Sequence, residues 1–407
     1  MSMASKMKIA VVTPFGAEEK LDVFAEFVAA QGLAGRGDDV RMFTYRIRSN
    51  PEYVDKVRKG VRAVRCSQKY GFAPRLFWQV LVWRPDMVLL CHIRSWLNLV
   101  AYLSARLVGA KVVFQVIGFL HDPYIVADRD NPLETIFPEP KTITTMRGFL
   151  SCAFKTRNVA SCWENFAFHF PLVRSDVLVT ITEFERRMVR EKIGRESVVI
   201  PWGVPLDPGV VETKPSFPNG VEPPEPFLFY IGQVKRRKGW DIIVDALALL
   251  KKEGIRKHLV FVTSSSPEEY KEAIDRVASL GISDQVTFLF HISNEEKEWL
   301  YRRSEATLAP SRYEGFGLTV FESFAAGVPV LGTDIPVYDE FLIDGVTGLV
   351  SKKGDPRTFA DNLKRLSDPE LKKAVIAGGL LEVRKYTDVM IVDRFEKLFQ
   401  ELAASRS

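Results

Sequence analysis

The sequence predicts an α/β protein built from two doubly wound, Rossmann-like domains that face one another across a cleft. Three observations predict this class. Strand-like apolar runs alternate with helical periodicity along the whole chain, which is the pattern of parallel α/β layers. A proline-rich stretch divides the chain into two such halves. The length of 407 residues suits two or three domains of ordinary size.

Short apolar runs in each half have the length and composition of buried parallel strands, and helical periodicity, for example over 21–31 and 97–107, fills the gaps. The strands predicted in the first half are 8–13, 40–44, 87–91, 111–117, 177–182 and 198–201. Those predicted in the second half are 227–231, 258–263, 286–289, 306–309, 328–332 and 348–350.

Residues 201–226 hold eight of the 23 prolines, each of which fixes φ and removes a backbone donor, so this stretch is neither strand nor helix. The sequence therefore predicts an N-terminal domain over 1–205, a linker over 206–225 and a second domain over 226–385. The closing segment, 386–407, is predicted as a helix that packs back on the N-terminal domain.

The charge is small overall but unevenly distributed. Fifty-six Lys and Arg against 51 Asp and Glu give +5, whereas residues 41–84 alone hold eleven basic and two acidic side chains. A concentrated positive field attracts anionic partners, whether phosphate, nucleic acid or an acidic membrane surface. Residues 145–170 interleave six Phe and Trp residues with three cations, which leaves two interpretations, a buried core and a lipid-facing amphipathic surface.

The four cysteines form no C-x-x-C pair and have no metal-ligand spacing with the five histidines, so free thiols in a reducing cytosol are expected and no metal site is predicted. We find no signal-peptide pattern and no run of about 18 uncharged apolar residues. A cytoplasmic protein, peripheral on the inner face of the cytoplasmic membrane, is the resulting expectation.

The most informative stretch is 312–330, where glycines at 315 and 317 precede a run of helix formers. A glycine-bearing loop that opens a helix gathers free backbone N–H groups and the positive end of the helix dipole, which suits a diphosphate. Glu314 lies in the predicted loop and Glu322 lies in the helix. One carboxylate can therefore meet a reacting group while the other reaches a polyhydroxylated group such as ribose.

These residues resemble the C-terminal domain of retaining glycosyltransferases of the GT-B fold, specifically glycosyltransferase family four. The resemblance rests on E-x7-E (Glu314 and Glu322), on the G-F-G-L, A-G-V-P-V and D-G-V-T-G-L runs that begin at 315, 326 and 344, and on Lys238-Gly239. It implies transfer of a hexose from a nucleoside diphosphate sugar to a glycan or lipid-linked acceptor. It also implies that no metal or other cofactor is needed and that no nucleic acid is a partner.

The resemblance assigns donor-binding roles to residues of the second domain. Lys238 would meet the diphosphate, Glu314 the hexose and Glu322 the ribose hydroxyls. The remaining members of the donor site are Gln233, Phe316, Gly317 and Leu318, of which Phe316 and Leu318 would offer backbone amides. We expect His291, after the third strand of that domain, to influence the choice of base.

Two residues of the first domain are also implied: His121 near the transferred sugar, and Gly16 where the backbone approaches the phosphates or the acceptor. His121, Glu314 and Lys238 are the candidate catalytic residues. The chain departs from the family pattern at Gln233, where an arginine is usual, and at 263–266, where Thr-Ser-Ser-Ser replaces a glycine-rich turn. Lys235, Arg236 or Arg237 are candidates for the missing cation.

Three alternatives remain open at this point. A sugar-nucleotide epimerase has the same architecture and would convert the donor without an acceptor. An NAD-dependent oxidoreductase is the general Rossmann alternative, although Thr-Pro-Phe-Gly stands at 13–16 where G-x-G-x-x-G would follow the first strand. A non-catalytic protein of this fold that acts as a membrane or assembly partner is favoured by Gln233.

Overall fold

The computed structural model describes residues 6–14, 25–45, 56–67, 72–119, 142–204, 206, 214–218 and 221–405. The chain divides into two units, of which unit 1 comprises Met1–Gly203 with Asp388–Ser407 and unit 2 comprises Val204–Thr387. Each unit is built on its own sheet, eight-stranded in unit 1 and six-stranded in unit 2.

The sheet of unit 1 has the order β3-β4-β2-β1-β5-β6-β7-β8, and its neighbours are parallel except for β3 and β4. The strands are β1 Lys8–Val12, β2 Asp39–Tyr45, β3 Lys56–Arg58, β4 Val61–Cys66, β5 Met87–Cys91, β6 Lys111–Gln115, β7 Val177–Thr180 and β8 Val198–Val199. The helices are α1 Ala25–Gly35, α2 Pro74–Trp83, α3 Trp96–Val108, α4 Met146–Thr156, α5 Val159–Arg174 and α6 Glu183–Ile193.

The sheet of unit 2 has the order β11-β10-β9-β12-β13-β14, and all its neighbours are parallel. The strands are β9 Leu228–Ile231, β10 Leu259–Thr263, β11 Val286–Phe290, β12 Ala306–Ala309, β13 Val330–Thr333 and β14 Leu349–Ser351. The helices are α7 Trp240–Lys252, α8 Pro267–Ser279, α9 Asn294–Arg303, α10 Leu318–Ala326, α11 Pro356–Arg365 and α12 Pro369–Val383. A last helix, α13 Asp388–Ala404, closes the chain.

The predicted class, two doubly wound α/β sheets, is confirmed. Every residue of β5 and of β12 is buried, as expected of strands covered by helices on both faces, and both strands have the bounds that the apolar runs predicted. The other predicted strands are present with bounds that shift by a few residues, because strand ends depend on pairing with neighbours and not on local composition.

The apolar pattern does not predict β3 and β4, which lie inside the basic stretch 41–84. β4 reads Val-Arg-Ala-Val-Arg-Cys, and its arginines conceal the strand pattern. Arg65 is buried, and its guanidinium donates a hydrogen bond to Thr44 Oγ1 on the neighbouring strand β2, 3.0 Å away. Arg65 therefore contributes to the packing of the sheet and is not accessible to an anionic partner, although it is counted in the predicted positive field.

The predicted linker, 206–225, belongs by contact to unit 2. Phe217 is buried there, and its ring lies 5.5 Å from the ring of Trp299 on α9, so the described part of the proline-rich stretch covers a side of the unit 2 core. Proline prevents regular secondary structure but does not prevent packing, so the composition that predicts an interdomain linker does not reveal this contact with the core.

Helix α13 lies in unit 1, where Ile391, Phe395 and Phe399 are fully buried. A Cβ placed on Gly32 of α1 would lie 2.2 Å from Val392 Cγ2, so the absence of a side chain at 32 permits the close approach of the two helices. The last helix thus completes the core of the unit that the first residues begin.

The expectation of four free thiols is wrong. A disulfide joins Cys152 on α4 to Cys162 on α5, whereas Cys66 and Cys91 are free and buried. Arg157, in the left-handed region at φ 54°, ends α4 and folds it back against α5, which brings two cysteines ten residues apart to a Cα–Cα distance of 6.1 Å. No helix within the described ranges is long and apolar enough to cross a bilayer.

Candidate active site

The crevice most suited to a ligand in unit 2 lies where β9 and β12 pair. From β9 the chain proceeds to β10 and β11 on one side, and from β12 it proceeds to β13 and β14 on the other. The loops that leave the carboxyl ends of β9 and β12 therefore diverge, and this point is where open parallel sheets bind ligands. Lys238 follows β9, and Glu314 follows β12.

Lys238 and Glu314 meet at this switch point although 76 residues separate them. Lys238 Nζ lies 2.5 Å from Glu314 Oε1, which also accepts a hydrogen bond of 2.8 Å from Ser311 Oγ. The two charged side chains are 24% and 11% exposed, so the pair is accessible only at its rim. An ammonium group has three N–H donors, so Lys238 can hold Glu314 and an oxyanion together.

Two glycines allow the loops after β9 and β12 to come this close. A Cβ on Gly239 would lie 1.9 Å from the carbonyl oxygen of Pro310, and one on Gly317 would lie 2.7 Å from Tyr338 Cε1. Both glycines have positive φ, +68° and +100°. Gly317 begins α10, and the N–H groups of Leu318 and Thr319 lie at the end of the helix, where backbone donors can meet an anion, while the N–H of Val320 donates to the carbonyl of Gly317.

Two buried phenols lie near the Lys238–Glu314 pair. Burial, reinforced by the charge of Glu314, raises the pKa of both Tyr230 and Tyr338 above the usual value. Both hydroxyls therefore stay protonated at neutral pH. The hydroxyl of Tyr230 donates to the backbone carbonyl of Gln233, 3.3 Å away, which holds the start of the loop after β9.

Glu322 takes different partners from Glu314. Its carboxylate accepts hydrogen bonds from Lys297 Nζ at 2.6 Å and from the Tyr301 hydroxyl at 2.7 Å, both on α9. Glu322 is 26% exposed and is fixed in position by these two donors, while burial and the charge of Glu322 raise the pKa of Tyr301. A carboxylate oriented in this way can still accept bonds from ribose hydroxyls with its remaining lone pairs.

The other predicted donor residues of unit 2 have distinct environments. The ring of Phe316 is buried against Phe321, with centroids 4.7 Å apart, so only its backbone can meet a ligand. Gln233 is exposed, and its Oε1 accepts a hydrogen bond of 3.2 Å from Arg237 Nη2, so the guanidinium of Arg237 lies beside the side chain that stands where an arginine is usual. His291 is exposed directly after β11, at the edge of the sheet and two strands from β9.

The Thr-Ser-Ser-Ser turn that replaces a glycine-rich turn has a structural role. Ser265 Oγ accepts a hydrogen bond of 2.7 Å from the backbone N–H of Val234, which ties the loop after β10 to the loop after β9. Two further predicted residues, His121 and Gly16, lie outside the described residues, and their roles stay predictions. Within the described part of the chain, no group of three or more His, Cys, Asp or Glu residues could hold a metal ion.

Sequence reasoning missed a polar cluster at the corresponding switch point of unit 1. There β1 and β5 pair, and their connections also run in opposite directions. Glu26 on α1, fully buried, accepts a hydrogen bond of 3.0 Å from Thr13 Oγ1 after β1, and its Oε1 lies 2.9 Å from Nε2 of His92 after β5. The sequence feature that could have pointed to this cluster is Glu26 itself, the one acidic residue in the apolar helix Ala25–Gly35.

Burial opposes ionisation of Glu26, but the His92 ring and the hydrogen bonds outweigh it and hold the pKa of this carboxyl below its usual 4.5. His92 has a positive φ of 65°, a conformation that non-glycine residues rarely adopt. Both units therefore place an oriented acidic group at the carboxyl edge of their sheets.

Comparison with known proteins decides the family. The family model described as Glycosyl transferases group 1 matches residues 212–379, and the one described as Glycosyltransferase Family 4 matches residues 28–208. Together they cover more than four-fifths of the chain. The chain belongs to glycosyltransferase family four. Lys238, Glu314 and Glu322 all lie within the first of these matches, and the resemblance read from the motifs is confirmed.

Individual relatives agree with this family assignment. The lipopolysaccharide core biosynthesis mannosyltransferase LpsB of Rhizobium meliloti (strain 1021) is 32% identical over 180 residues, 41% of this chain and 48% of that protein. The chain spans only 34% to 60% of the lengths of the first curated family members that it matches.

Solved structures of other proteins have a similar fold over nearly the whole length of this chain. Sucrose-phosphate synthase from Thermosynechococcus elongatus matches with a TM-score of 0.71 at 18% identity, over 98% of this chain and 100% of that one. Anabaena Alr3699/HepE in complex with UDP and glucose matches with a TM-score of 0.66 at 14% identity, over 97% and 100%. At such identities the likeness establishes the fold, which is the GT-B fold of this family.

Proposed function

We propose that the chain is a retaining hexosyltransferase. It moves a hexose from a nucleoside diphosphate sugar to a hydroxyl of a glycan or lipid-linked acceptor in the assembly of cell-surface polysaccharide or glycolipid. The observation that carries the proposal is the contact between Lys238 and Glu314 at the switch point of unit 2, beside the helix that Gly317 begins. This arrangement offers a cation, an oriented carboxylate and backbone donors to one activated sugar.

The chemistry requires a place for negative charge. The bond between the anomeric carbon and the diphosphate breaks, and the acceptor oxygen bonds to that carbon on the same face of the sugar. The acceptor proton passes to the departing phosphate, which leaves as the nucleoside diphosphate. Lys238 and the N–H groups at the start of α10 stabilise the charge that develops on the diphosphate. No side chain is assigned as the general base.

The two carboxylates bind different parts of the donor in this proposal. Glu314, held by Lys238 and Ser311, accepts hydrogen bonds from hexose hydroxyls. Glu322, held by Lys297 and Tyr301, accepts them from the ribose. Arg237, beside Gln233, supplies the second cation for the phosphates. Because each of these groups is already fixed by a partner in the protein, little conformational entropy is lost when the donor binds.

The acceptor belongs to unit 1 in this proposal. The Thr13–Glu26–His92 cluster lies at the carboxyl edge of that sheet, where an imidazole oriented by a carboxylate can bind an acceptor hydroxyl. The name of the Rhizobium meliloti relative refers to lipopolysaccharide core biosynthesis, which favours a lipid-linked glycan as the acceptor. We also propose the inner face of the cytoplasmic membrane as the protein's place, in contact with an anionic lipid surface, although the Cys152–Cys162 disulfide removes the free-thiol argument for a reducing compartment.

Donor binding is tested by thermal unfolding with a panel of UDP-, GDP- and ADP-hexoses. One donor is expected to raise the Tm through linkage, and Glu322→Ala is expected to abolish that rise. The matched control is Glu305→Ala. Glu305 pairs with Lys257 at 2.6 Å with similar exposure, but it lies at the amino end of β12, at the opposite edge of the sheet.

The identified donor then allows the reaction itself to be followed. NMR of the product should show the donor's anomeric configuration, and chelation with EDTA should leave the rate unchanged because Lys238 supplies the cation. Conversion of the donor without an acceptor would instead indicate an epimerase. A protein that no sugar nucleotide stabilises would be a non-catalytic member of the fold, and the proposal would fail.

A further inference from the structure

Helix α4 presents an apolar stripe that no other described element covers. Not one of its residues is buried. Met146, Leu150 and Phe154 follow one another at intervals of four, so they lie on one face of the helix, and they are 52%, 59% and 88% exposed. Three large apolar side chains in a row on one exposed face form a contiguous patch, and such a patch marks an interaction surface, whereas a single exposed apolar residue would not.

The exposure of this stripe does not come from a loosely attached helix. Phe149 and Cys152, on the neighbouring side of α4, pack against the cluster formed by Cys162 and Phe166 of α5. The Cys152–Cys162 disulfide joins the two helices, and Thr145 caps α4 by accepting a hydrogen bond from the N–H of Gly148. The segment 145–170 therefore divides, with α5 in the core and α4 turned outward.

The charged side chains of α4 and of its last turn are all positive. Arg147, Lys155 and Arg157 are exposed, and the first acidic residue after them, Glu164 on α5, lies 3.5 Å from Arg94 as an ion pair. No ion pair in the described part of the chain joins these three cations to an acidic side chain. The stripe and its cations, which we call the α4 face, combine large apolar groups with uncompensated positive charge, as do helices that lie in the headgroup region of an anionic bilayer.

Helices in the same layer as α4 also expose large apolar side chains. Helices α2, α3, α5 and α4 pack side by side in that order. Exposed apolar pairs with the same four-residue spacing occur on α2, at Trp78 and Val82, and on α3, at Leu103 and Leu107. Large apolar side chains exposed on three helices of one packed layer suit a lipid plane better than a narrow groove for a peptide.

We propose that the α4 face is the surface by which this protein docks on an anionic lipid bilayer. The inference deepens the proposed function by naming the part of the chain that meets the membrane. A second copy of the chain is a poorer occupant, because a symmetric contact of this face with itself would bring three positive charges against three others. An anionic lipid surface compensates the cations while its hydrocarbon region receives the apolar stripe.

Co-sedimentation with vesicles tests the docking without any donor or acceptor, so its outcome is independent of sugar transfer. The 407-residue chain is mixed with phosphatidylcholine vesicles that contain or lack about 30% phosphatidylglycerol, at low and at high salt. We expect binding to the anionic vesicles that weakens at high salt because exposed charges are screened. Replacing Arg147, Lys155 and Arg157 by Gln should weaken binding by about 100-fold, since each cation near an anionic surface contributes about fivefold.

The apolar stripe is tested by Leu150→Glu, which should lower binding to anionic vesicles by at least about tenfold. Its matched control is Leu381→Glu on α12 of unit 2, because Leu381 is 62% exposed and Leu150 is 59% exposed. The control should bind as the wild type does. Far-UV circular dichroism and the Tm identify any variant that has lost its fold.

Insertion is measured directly with Phe154→Trp, whose fluorescence should be quenched by brominated lipids beyond the quenching of the native tryptophans. The proposal is overturned if this quenching is absent or if Leu150→Glu binds as tightly as Leu381→Glu. It is equally overturned if analytical ultracentrifugation shows a dimer of the wild type that Leu150→Glu dissociates, because a second copy would then cover the face.

Discussion

Replacing Lys238 by Met separates the catalytic contribution of this lysine from its structural contribution. The substitution keeps the apolar stem and removes only the ammonium group that contacts Glu314 Oε1 at 2.5 Å. If Lys238 stabilises the departing diphosphate, kcat should fall by about 10²–10³-fold, the range observed when one stabilising donor is removed from an active site. The KM for the donor should rise less, because the charge on the diphosphate increases mainly in the transition state.

The structural cost follows from the burial of the pair. Fully exposed ion pairs contribute about 0.2–1 kcal/mol, and breaking a fully buried pair costs about 3–5 kcal/mol. With Lys238 24% and Glu314 11% exposed, the free energy of unfolding should fall by an intermediate amount, about 2 kcal/mol. For a unit of this size that corresponds to a Tm lowered by about 4–8 °C. The double variant Lys238→Met/Glu314→Gln removes the unpaired charge and should recover part of this loss without recovering kcat.

Lys257→Met is the control, since its ion pair with Glu305 has similar length and exposure at the amino edge of the same sheet. It should lower the Tm comparably and leave kcat within about threefold of the wild type. Steady-state kinetics with the donor found by thermal shift, together with calorimetry, measures both quantities. The reasoning is refuted if Lys238→Met keeps kcat within threefold, or if Lys257→Met loses as much activity.

Three further substitutions follow from the structure. Gly317→Ala should lower the free energy of unfolding by about 1–3 kcal/mol, because the backbone has a φ of +100° and the new Cβ would clash with Tyr338. The same variant should weaken donor binding in a thermal-shift titration. Its control is Gly345→Ala, which has a positive φ but open space around its Cβ, and which should cost less stability and bind the donor normally. Glu26→Gln should be destabilising by about 1–2 kcal/mol at pH 7 in urea unfolding. The folded protein holds the pKa of Glu26 below 4.5, so the ionised carboxylate stabilises the fold above pH 4.5. The difference in unfolding free energy between the wild type and Glu26→Gln should therefore disappear as the pH falls below 4.5 and through the lowered pKa. Gly32→Ala should lower stability by about 1–3 kcal/mol in the same assay, whereas Gly35→Ala, with nothing near its Cβ, should raise it slightly.

Local patterns predicted the strands because burial on both faces leaves a continuous apolar run that can be read without knowing any neighbour. β5 and β12 are examples. The apolar run does not reveal β4, because two arginines three residues apart interrupt it, although one of them, Arg65, is buried and donates a hydrogen bond to Thr44. Local patterns also failed for the cysteines, since the pairing of Cys152 with Cys162 depends on the turn at Arg157 that folds α4 back on α5.

By itself, the sequence determined the α/β class, the division into two sheets, the glycine-bearing loop before α10 and the family to which these residues belong. Each of these is encoded in short segments, where periodicity, prolines and glycines act on the local backbone. The tertiary structure decided which side chains meet: Lys238 with Glu314, Glu322 with Lys297, Glu26 with His92, and α13 with α1. These partners lie 25 or more residues apart, and strand order, which brings them together, depends on packing between segments that no local pattern records.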